Sequence, residues 1–204
     1  MPEWSSPLFC RTYFYKRLIE SVYQPNDFKM DEKGRDCMTF DEVIRCRRSI
    51  RAYEPTPVSK DLIEQVLEAG RLAPSASNGQ NWHFTAVLNS ELRHRLMEAC
   101  SNQKQVEEAP VTLVIWATSD RRMRCGQSVA SVDCSIATTF MMLKAADLGL
   151  GTCWLGAFDA DLVKQILSLE DSTTVVAVTP LGYPAESPQA RPRKSLEEIT
   201  DIRE

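Results

Sequence analysis

The segment Arg47-Arg48-Ser49-Ile50-Arg51 places three cations and one hydroxyl within five residues. It follows the end of a predicted short helix, and in an extended chain alternation would send Arg47, Ser49 and Arg51 to one side. Arg48 and Ile50 would then lie on the other side. Guanidinium groups bind phosphate bidentately and a hydroxyl adds a directed donor, so the pattern suits a dianionic phosphate or an electron-rich ring as ligand. The alternative is a basic helix C-terminus whose arginines offset the helix macrodipole and bind no ligand.

Capping signals predict two helices around this segment. Thr39 and Glu42 have the spacing of a capping box, which predicts a helix that runs to about Arg47. Ser59 predicts the N-terminus of a second helix that continues to about Leu72. The next stretch, 73–82, is rich in small and amide side chains that can donate and accept hydrogen bonds at once. Its simplest interpretation is a turn between a helix and a strand.

The remaining chain predicts three strands and four further helical stretches. We expect strands at 82–88, 111–117 and 173–181, and helices at 90–102, 129–150, 159–169 and, briefly, from Ser195. The long stretch 129–150 is apolar on more than one side, which is typical of a helix central to a domain or to a dimer interface. These elements predict an α+β or mixed α/β fold. Residues 1–37 are interpreted as an N-terminal extension, either an arm on a partner subunit or a partly disordered segment, and residues 38–204 as one domain.

Composition argues against several classes of function. A net charge of −4, from 24 basic and 28 acidic residues, argues against a dedicated nucleic-acid binder. No apolar run approaches the length of a membrane span, so we expect no membrane partner. The seven cysteines include no C-x-x-C pair, and neither histidine lies near a cysteine cluster. We therefore expect free thiols in a reducing cytoplasm and no metal site.

Other nucleotide signals are weak. The chain has no G-x-G-x-x-G fingerprint and no Walker loop, so neither a Rossmann nor a P-loop site is supported. The run Arg121-Arg122-Met123-Arg124 is interpreted as a solvated basic turn, with contact to a phosphate of a nicotinamide nucleotide as the alternative.

Four segments in this order and spacing together resemble the nitroreductase family of flavin enzymes. They are Arg47-Arg48-Ser49-Ile50-Arg51-Ala52-Tyr53, the loop Ala73-Pro74-Ser75-Ala76-Ser77-Asn78-Gly79-Gln80-Asn81-Trp82, residues 145–158, and Leu181-Gly182-Tyr183-Pro184 with Arg191-Pro192-Arg193-Lys194. The resemblance covers about residue 38 to the end. It implies an FMN-binding α+β fold with a central mixed or antiparallel sheet flanked by helices. It also implies an intertwined homodimer with the flavin at the interface.

The same resemblance implies which residues bind FMN. The phosphate would be held by Arg47, Ser49, Arg191 and Arg193. Arg48 would lie along the ribityl chain or the ring edge, and Arg51 near the pyrimidine edge. A further set would complete the site, in part from the other subunit: Pro74, Ser75, Ala76, Asn78 and Gln80. The turn whose backbone amide points at flavin N5 would be Leu155, Gly156 and Ala157.

With the cofactor supplying the chemistry, no catalytic side chain is predicted. A fixed cation at Arg51 would stabilise the anionic N1/C2-carbonyl edge of reduced flavin, and Gly156 would let the backbone approach the ring. The family often has proline after the glutamine, whereas this chain has Gln80-Asn81-Trp82. We expect that change to loosen the turn and to leave its polar contacts available.

The predicted activity is FMN-dependent oxidoreduction. Hydride would come from NADH or NADPH, and the electrons would pass to a nitroaromatic, a quinone or a related small-molecule acceptor by a ping-pong scheme. Two alternatives stay open. The first is another flavin reaction on the same fold, such as that of a dehydrogenase, a dehalogenase or a flavin-destroying enzyme, because fold does not determine reaction. The second is a flavin-binding module without turnover.

Overall fold

The computed structural model describes residues 29–30 and 36–204. The predicted extension 1–37 therefore lies outside the described residues, except for two short strands, β1 (Lys29–Met30) and β2 (Asp36–Cys37), which pair antiparallel. From Phe40 onward the elements are α1 (Phe40–Cys46), α2 (Lys60–Arg71), a 3₁₀ turn (Ala76–Asn78), β3 (Trp82–Val87), α3 (Ser90–Ala99), α4 (Gln105–Glu108), β4 (Val111–Ala117), α5 (Val129–Asp147), β5 (Gly151–Thr152), α6 (Ala160–Leu167) and β6 (Thr174–Gly182).

The central sheet has the strand order β3-β4-β6-β5, and every pair in it is antiparallel. A single parallel bridge between Ser49 and Thr152 continues it beyond β5. The predicted α+β class with a central mixed or antiparallel sheet is therefore confirmed.

Helices cover both faces of this sheet. On one face α2 and α5 pack on side chains such as Leu113 and Ile115 of β4. On the other face α3 and α6 pack on side chains such as Val114 of β4 and Val178 of β6. Adjacent residues of β4 enter opposite cores because side chains of a strand alternate. The run 111–117 is accordingly apolar throughout, as expected for a strand buried on both faces.

The helix N-termini are where the sequence predicts them. Thr39 accepts from the Glu42 backbone N–H, and the Glu42 carboxylate accepts from the Thr39 N–H, which completes the predicted capping box. The Ser59 side chain accepts from the Leu62 N–H and caps α2, and the Asp159 side chain accepts from the N–H groups of Asp161 and Leu162 and caps α6. Each cap joins residues two or three positions apart, which is why local sequence is sufficient to predict it.

Several element ends differ from the prediction. The helix expected over 90–102 ends at Ala99, because Ser101 and Asn102 adopt positive φ, and the short helix α4 follows separately. The long helix ends at Asp147, and its last turn is followed by Gly149 at φ 75°. Strand β5 was not predicted. The short helix expected from Ser195 is only a turn, closed by a bond from the Ile199 N–H to the Leu196 carbonyl.

Helix α5 corrects the expectation that no apolar run approaches the length of a membrane span. Its 19 residues are long enough and apolar enough to cross a membrane by length and composition alone. More than half of the helix is buried inside the fold. Its side chains are apolar because most of them pack in the core of the fold.

Candidate functional site

The chain leaves α1 at Arg47, whose φ of −55° and ψ of 126° are no longer helical. The segment that follows runs beside β5, where Ser49 bridges Thr152 in parallel and the Ile50 N–H donates to the Thr152 carbonyl at 2.9 Å. Tyr53 then bridges Pro184, and its hydroxyl donates to the Ile50 carbonyl at 2.7 Å. The segment is therefore held as an extended edge of the sheet.

This extended geometry produces the predicted alternation. Ile50 is buried and packs directly on Gly151. Arg47, Ser49 and Arg51 converge instead on Cys153, which is 2% exposed. The three groups that the sequence predicts on one side are thus brought together by the structure.

The charges around Cys153 are mostly positive. Burial raises the pKa of the Cys153 thiol, while the cation of Arg51 and a hydrogen bond with the Ser49 hydroxyl act in the opposite direction. The pKa of Arg47 is lowered by burial and then by the like charge of Arg193. Arg193 therefore joins the cluster from the C-terminal tail.

Little negative charge is available to balance this cluster. None of the predicted site arginines forms an ion pair with a described residue. Glu186 supplies a carboxylate nearby, but its Oε1 accepts from the backbone N–H groups of Arg51 and Ala52. A group of cations with a hydroxyl and no ion-paired anion among the described residues fits a dianionic phosphate.

Arg48 lies on the other side of the segment. Its Nη1 donates to the carbonyls of Arg45 and Arg47, so this side chain caps the C-terminus of α1. Its Nε is buried and has no hydrogen-bond partner within the described part of the chain. A cavity of about 30 Å³ borders it, between α1, the end of α5 and the chain near Pro184 and Glu186. That volume holds one or two waters and is far too small for a flavin.

The loop Pro74–Gln80 is ordered by hydrogen bonds of its own. The Ser75 hydroxyl accepts from the Gln80 N–H at 3.1 Å, and the Gln80 side-chain amide donates to Asn78 Oδ1 at 3.0 Å. Ser77, Asn78 and Gln80 all have φ near 50°, a conformation that costs about 1–3 kcal/mol for a residue other than glycine. The hydrogen bonds within the loop hold these three residues in that conformation.

Asp133 anchors this loop to α5. Its Oδ1 accepts from the Ala76 N–H at 3.0 Å, although the side chain is only 1% exposed and its Oδ2 has no partner among the described residues. The sequence analysis did not single out Asp133. A carboxylate at an otherwise apolar position of a core helix is the signal that could have found it.

The loop and the arginine segment are far apart within one chain. The loop attaches to α5 at Asp133, whereas the arginine segment lines a cavity together with Ala146 at the other end of that helix. Thirteen residues of α-helix separate Asp133 from Ala146, which is about 20 Å at 1.5 Å per residue. The structure of one chain therefore does not bring Pro74, Ser75, Ala76, Asn78 and Gln80 to the arginines.

The turn 155–157 begins two residues after Cys153. Leu155 is buried and bridges Val178, with its N–H donating to the Val178 carbonyl at 2.9 Å. Gly156 is exposed, and a Cβ placed on it would meet nothing closer than Trp154 Nε1 at 4.0 Å. The Ala157 carbonyl accepts from the Gln103 side chain at 3.3 Å. A flat ligand thus has open access to the backbone at Gly156.

The tail residues are less constrained. Arg191 and Arg193 are both exposed, and the charge of Arg193 acts on Arg47. The sequence analysis missed Glu186 and the central place of Cys153. Neither has a local signal, because both meet the arginine segment only through long-range pairing.

Comparisons with known proteins agree with this architecture. The sequence model of the nitroreductase family matches residues 44–111 and 98–183. An NADH dehydrogenase of Thermus thermophilus is 32% identical over 185 residues, which span 75% of this chain and 90% of that protein. An FMN reductase (NAD(P)H) of Bacillus subtilis is 30% identical over 181 residues, or 78% of this chain and 73% of that one.

A solved structure shows that this family shares the fold. The crystal structure of a nitroreductase family protein from Clostridium novyi superimposes with a TM-score of 0.70 at 32% identity, covering 76% of this chain and 89% of that one. The predicted family is confirmed by the family model, by relatives at 30% identity or more, and by the shared fold. The chain belongs to the nitroreductase family.

Proposed function

We propose that the chain is an FMN-dependent oxidoreductase that takes hydride from NAD(P)H. Its acceptors are nitroaromatics, quinones or related small molecules, reduced in a ping-pong scheme. Bound FMN would supply the chemistry, by accepting two electrons from the nicotinamide and passing them to the acceptor in the same pocket. The name of the Bacillus subtilis relative, an FMN reductase acting with NAD(P)H, supports this reading of the cofactors.

The observation that carries the proposal is the unbalanced positive cluster. Arg47, Ser49 and Arg193 offer two guanidinium groups and a hydroxyl, and no described carboxylate pairs with them. Such a set binds a phosphate monoester through charge-assisted hydrogen bonds. Arg191, which lies two residues before Arg193, is the fourth candidate for the phosphate.

Other residues would orient the ring. Arg51 lies on the same side as Ser49 and would stabilise negative charge at the pyrimidine edge. Since 30 mV is about 1.4 kcal/mol for a two-electron couple, even a modest interaction at Arg51 would move the potential measurably. The open backbone at Gly156 and Ala157 would approach the ring, while Arg48 is used in part to cap α1.

We further propose that the enzyme is a homodimer in which each site is completed by the partner. The gap of about 20 Å along α5 supports this, because the loop 74–80 attaches far from the arginines of its own chain. Exposed apolar side chains on α1 and α5 also support it: Phe40 is 69% exposed, Ile44 49% and Phe140 41%. Helix α1 packs against α5, so these side chains belong to neighbouring elements.

The described cysteines fit a reducing compartment. Cys46, Cys100, Cys125, Cys134 and Cys153 are all free thiols. We therefore place the enzyme in the cytoplasm.

The test is the visible absorption spectrum of the purified protein after incubation with FMN, followed by addition of NADH or NADPH under nitrogen. The proposal expects a flavin spectrum that is bleached by at least one nucleotide and restored by an added quinone. A protein that stays colourless after incubation with FMN would refute it. A flavin spectrum that no nucleotide bleaches would instead indicate another reaction on the same fold.

A further inference from the structure

A basic hairpin, residues 119–128, lies outside the site described above. Arg122 bridges Ser128, the Met123 N–H donates to the Gln127 carbonyl at 2.8 Å, and the Gly126 N–H donates to the Met123 carbonyl at 2.9 Å. Gly126 has a φ of 87°, which the turn requires and which a glycine adopts without strain. The hairpin is thus a defined turn with Arg124 in its tip.

The base of this basic hairpin is fixed to α5. Asp120 accepts from the Ser128 hydroxyl at 2.8 Å and from the Ala130 N–H at 3.0 Å. The hydrogen bond from Ala130 is the main reason that the pKa of Asp120 lies below its usual range. The one carboxylate of the hairpin therefore stays ionised and serves as an anchor.

Two of its three arginines have side chains that pair with none of the residues that the structure describes. Arg122 Nη1 donates to the Gly126 carbonyl at 2.8 Å, so this guanidinium is used within the turn. Arg121 and Arg124 are exposed, and neither side chain has a hydrogen bond or an ion pair with any described residue. Holding two free cations on a preformed turn lowers the ordering cost of binding an anion.

Asn81 ties the basic hairpin to the loop Pro74–Gln80. Its side-chain amide donates to the Ser119 carbonyl at 2.7 Å, and its own carbonyl accepts from the Thr118 N–H at 3.1 Å. Arg124 lies five residues beyond Ser119, which is at most about 17 Å of chain. Since these bonds attach the hairpin to the residue that follows Gln80, the hairpin lies next to any flavin site that the loop completes.

We propose that Arg121 and Arg124 bind a phosphate of the adenosine half of the nicotinamide nucleotide. The inference rests on the proposed function, since it presumes that NAD(P)H reduces a flavin beside the loop Pro74–Gln80. The nicotinamide must reach the ring, so the adenosine half would lie away from the ring, where the exposed hairpin can bind it. Both of its phosphate groups, the pyrophosphate and the 2′-phosphate of NADPH, are anions that arginine recognises.

The experiment compares Arg121→Gln, Arg124→Gln and the double variant with wild type. The matched control is Arg95→Gln, which removes an exposed cation that has no ion pair with a described residue and lies on α3, across the sheet from α5. Flavin bleaching under nitrogen is followed against the concentration of NADPH, NADH and reduced nicotinamide mononucleotide. Binding of adenosine 2′,5′-bisphosphate is measured by calorimetry.

The double variant is expected to raise the half-saturating concentration of NADPH roughly tenfold and to weaken the bisphosphate to a similar degree. Its limiting rate and its response to reduced nicotinamide mononucleotide should not change. A loss for NADPH alone indicates the 2′-phosphate, and an equal loss for NADH indicates the pyrophosphate. Either result supports the proposal.

Three results would overturn it. The first is a double variant within twofold of wild type for both dinucleotides. The second is an equal loss for reduced nicotinamide mononucleotide, which has no adenosine half. The third is an equal loss in Arg95→Gln. If wild type binds no FMN, or is bleached by neither dinucleotide, the proposed function itself fails and this inference falls with it, before any variant is made.

Discussion

The contact between Gly151 and Ile50 links the stability of the fold to the position of the arginine segment. A Cβ added at Gly151 would lie 2.7 Å from Ile50 Cγ1, 2.8 Å from its Cβ and 3.0 Å from its Cγ2. Carbon atoms in contact prefer about 3.5–4.0 Å. Because the Cβ of Ile50 is bonded directly to the backbone, a change of rotamer cannot relieve the overlap. Gly151→Ala must therefore move the backbone of Ile50 by about 0.7–1 Å.

The size of the effect follows from that displacement. Overpacking of a buried contact costs about 1–3 kcal/mol in the free energy of unfolding. The shift also strains the bond from the Ile50 N–H to the Thr152 carbonyl and the bridge at Ser49. Since Ser49 belongs to the proposed phosphate cluster, we expect affinity for FMN to fall about tenfold, or about 1.4 kcal/mol.

Gly156→Ala is the matched control. Its Cβ would meet only Trp154 Nε1, at 4.0 Å, so the free energy of unfolding should stay within about 0.5 kcal/mol of wild type. If the flavin ring lies against the backbone there, this variant should weaken FMN binding without loss of stability. Both variants are compared by urea unfolding without FMN, at one protein concentration, and by fluorescence titration with FMN.

A double-mutant cycle with Ile50→Ala tests the cause. Truncation of Ile50 removes the two γ carbons that the new Cβ would strike and keeps the Ile50 Cβ at 2.8 Å, so Gly151→Ala should cost less in that background than alone, but should still cost something. The reasoning fails if Gly151→Ala is as stable as wild type, or if its cost is unchanged in the Ile50→Ala background.

Three further predictions concern charges and buried polar groups. Arg193→Gln removes a cation that repels Arg47, so the stability of the protein without FMN should be unchanged or slightly higher. The same variant should bind FMN about tenfold more weakly in a fluorescence titration. Lower stability with unaltered affinity would contradict this prediction. Asp133→Ala leaves the Ala76 N–H without its acceptor and should cost about 1–3 kcal/mol in urea unfolding, whereas Asp133→Asn retains an acceptor oxygen and should recover most of that loss. Burial raises the pKa of Cys100 and of Cys134 to about 12. As the pH rises above 9, these thiols ionise in the unfolded chain but keep their protons in the native protein. The free energy of unfolding should therefore fall by up to about 1.4 kcal/mol per pH unit for each thiol. Cys134→Ala should make that decline, measured by urea unfolding between pH 8 and 10.5, less steep, and an unchanged slope would refute the assignment.

The helix starts and the three long strands were predictable because their signals are local. The caps at Thr39 and Ser59 are satisfied within three residues, and the apolar run 111–117 is recognisable without knowledge of its neighbours. Strand β5 was not predictable, since two residues carry no periodicity and become a strand only by pairing with Leu181 and Gly182 of β6. The end of α3 was missed because it depends on positive φ at residues other than glycine.

The candidate site likewise has features that the sequence predicts and features that depend on long-range pairing. Alternation in the extended chain was sufficient to predict that Arg47, Ser49 and Arg51 share a side. It could not predict that Cys153 lies between them, because that requires the pairing of Ser49 with Thr152. Nor could it predict Glu186, which accepts from the Arg51 N–H across 135 residues of chain.

The sequence by itself therefore determined the family, the α+β class, the helix starts and the side of the chain that Arg47, Ser49 and Arg51 share. All of these depend on residue order or on contacts within a few positions. Only the tertiary structure decided that Arg193 joins Arg47, that Asp133 anchors the loop Pro74–Gln80, and that this loop lies about 20 Å along α5 from the arginines. The physical reason is that contacts between distant parts of the chain form only once the strands have paired and the helices have packed, and no local pattern encodes which partners then meet.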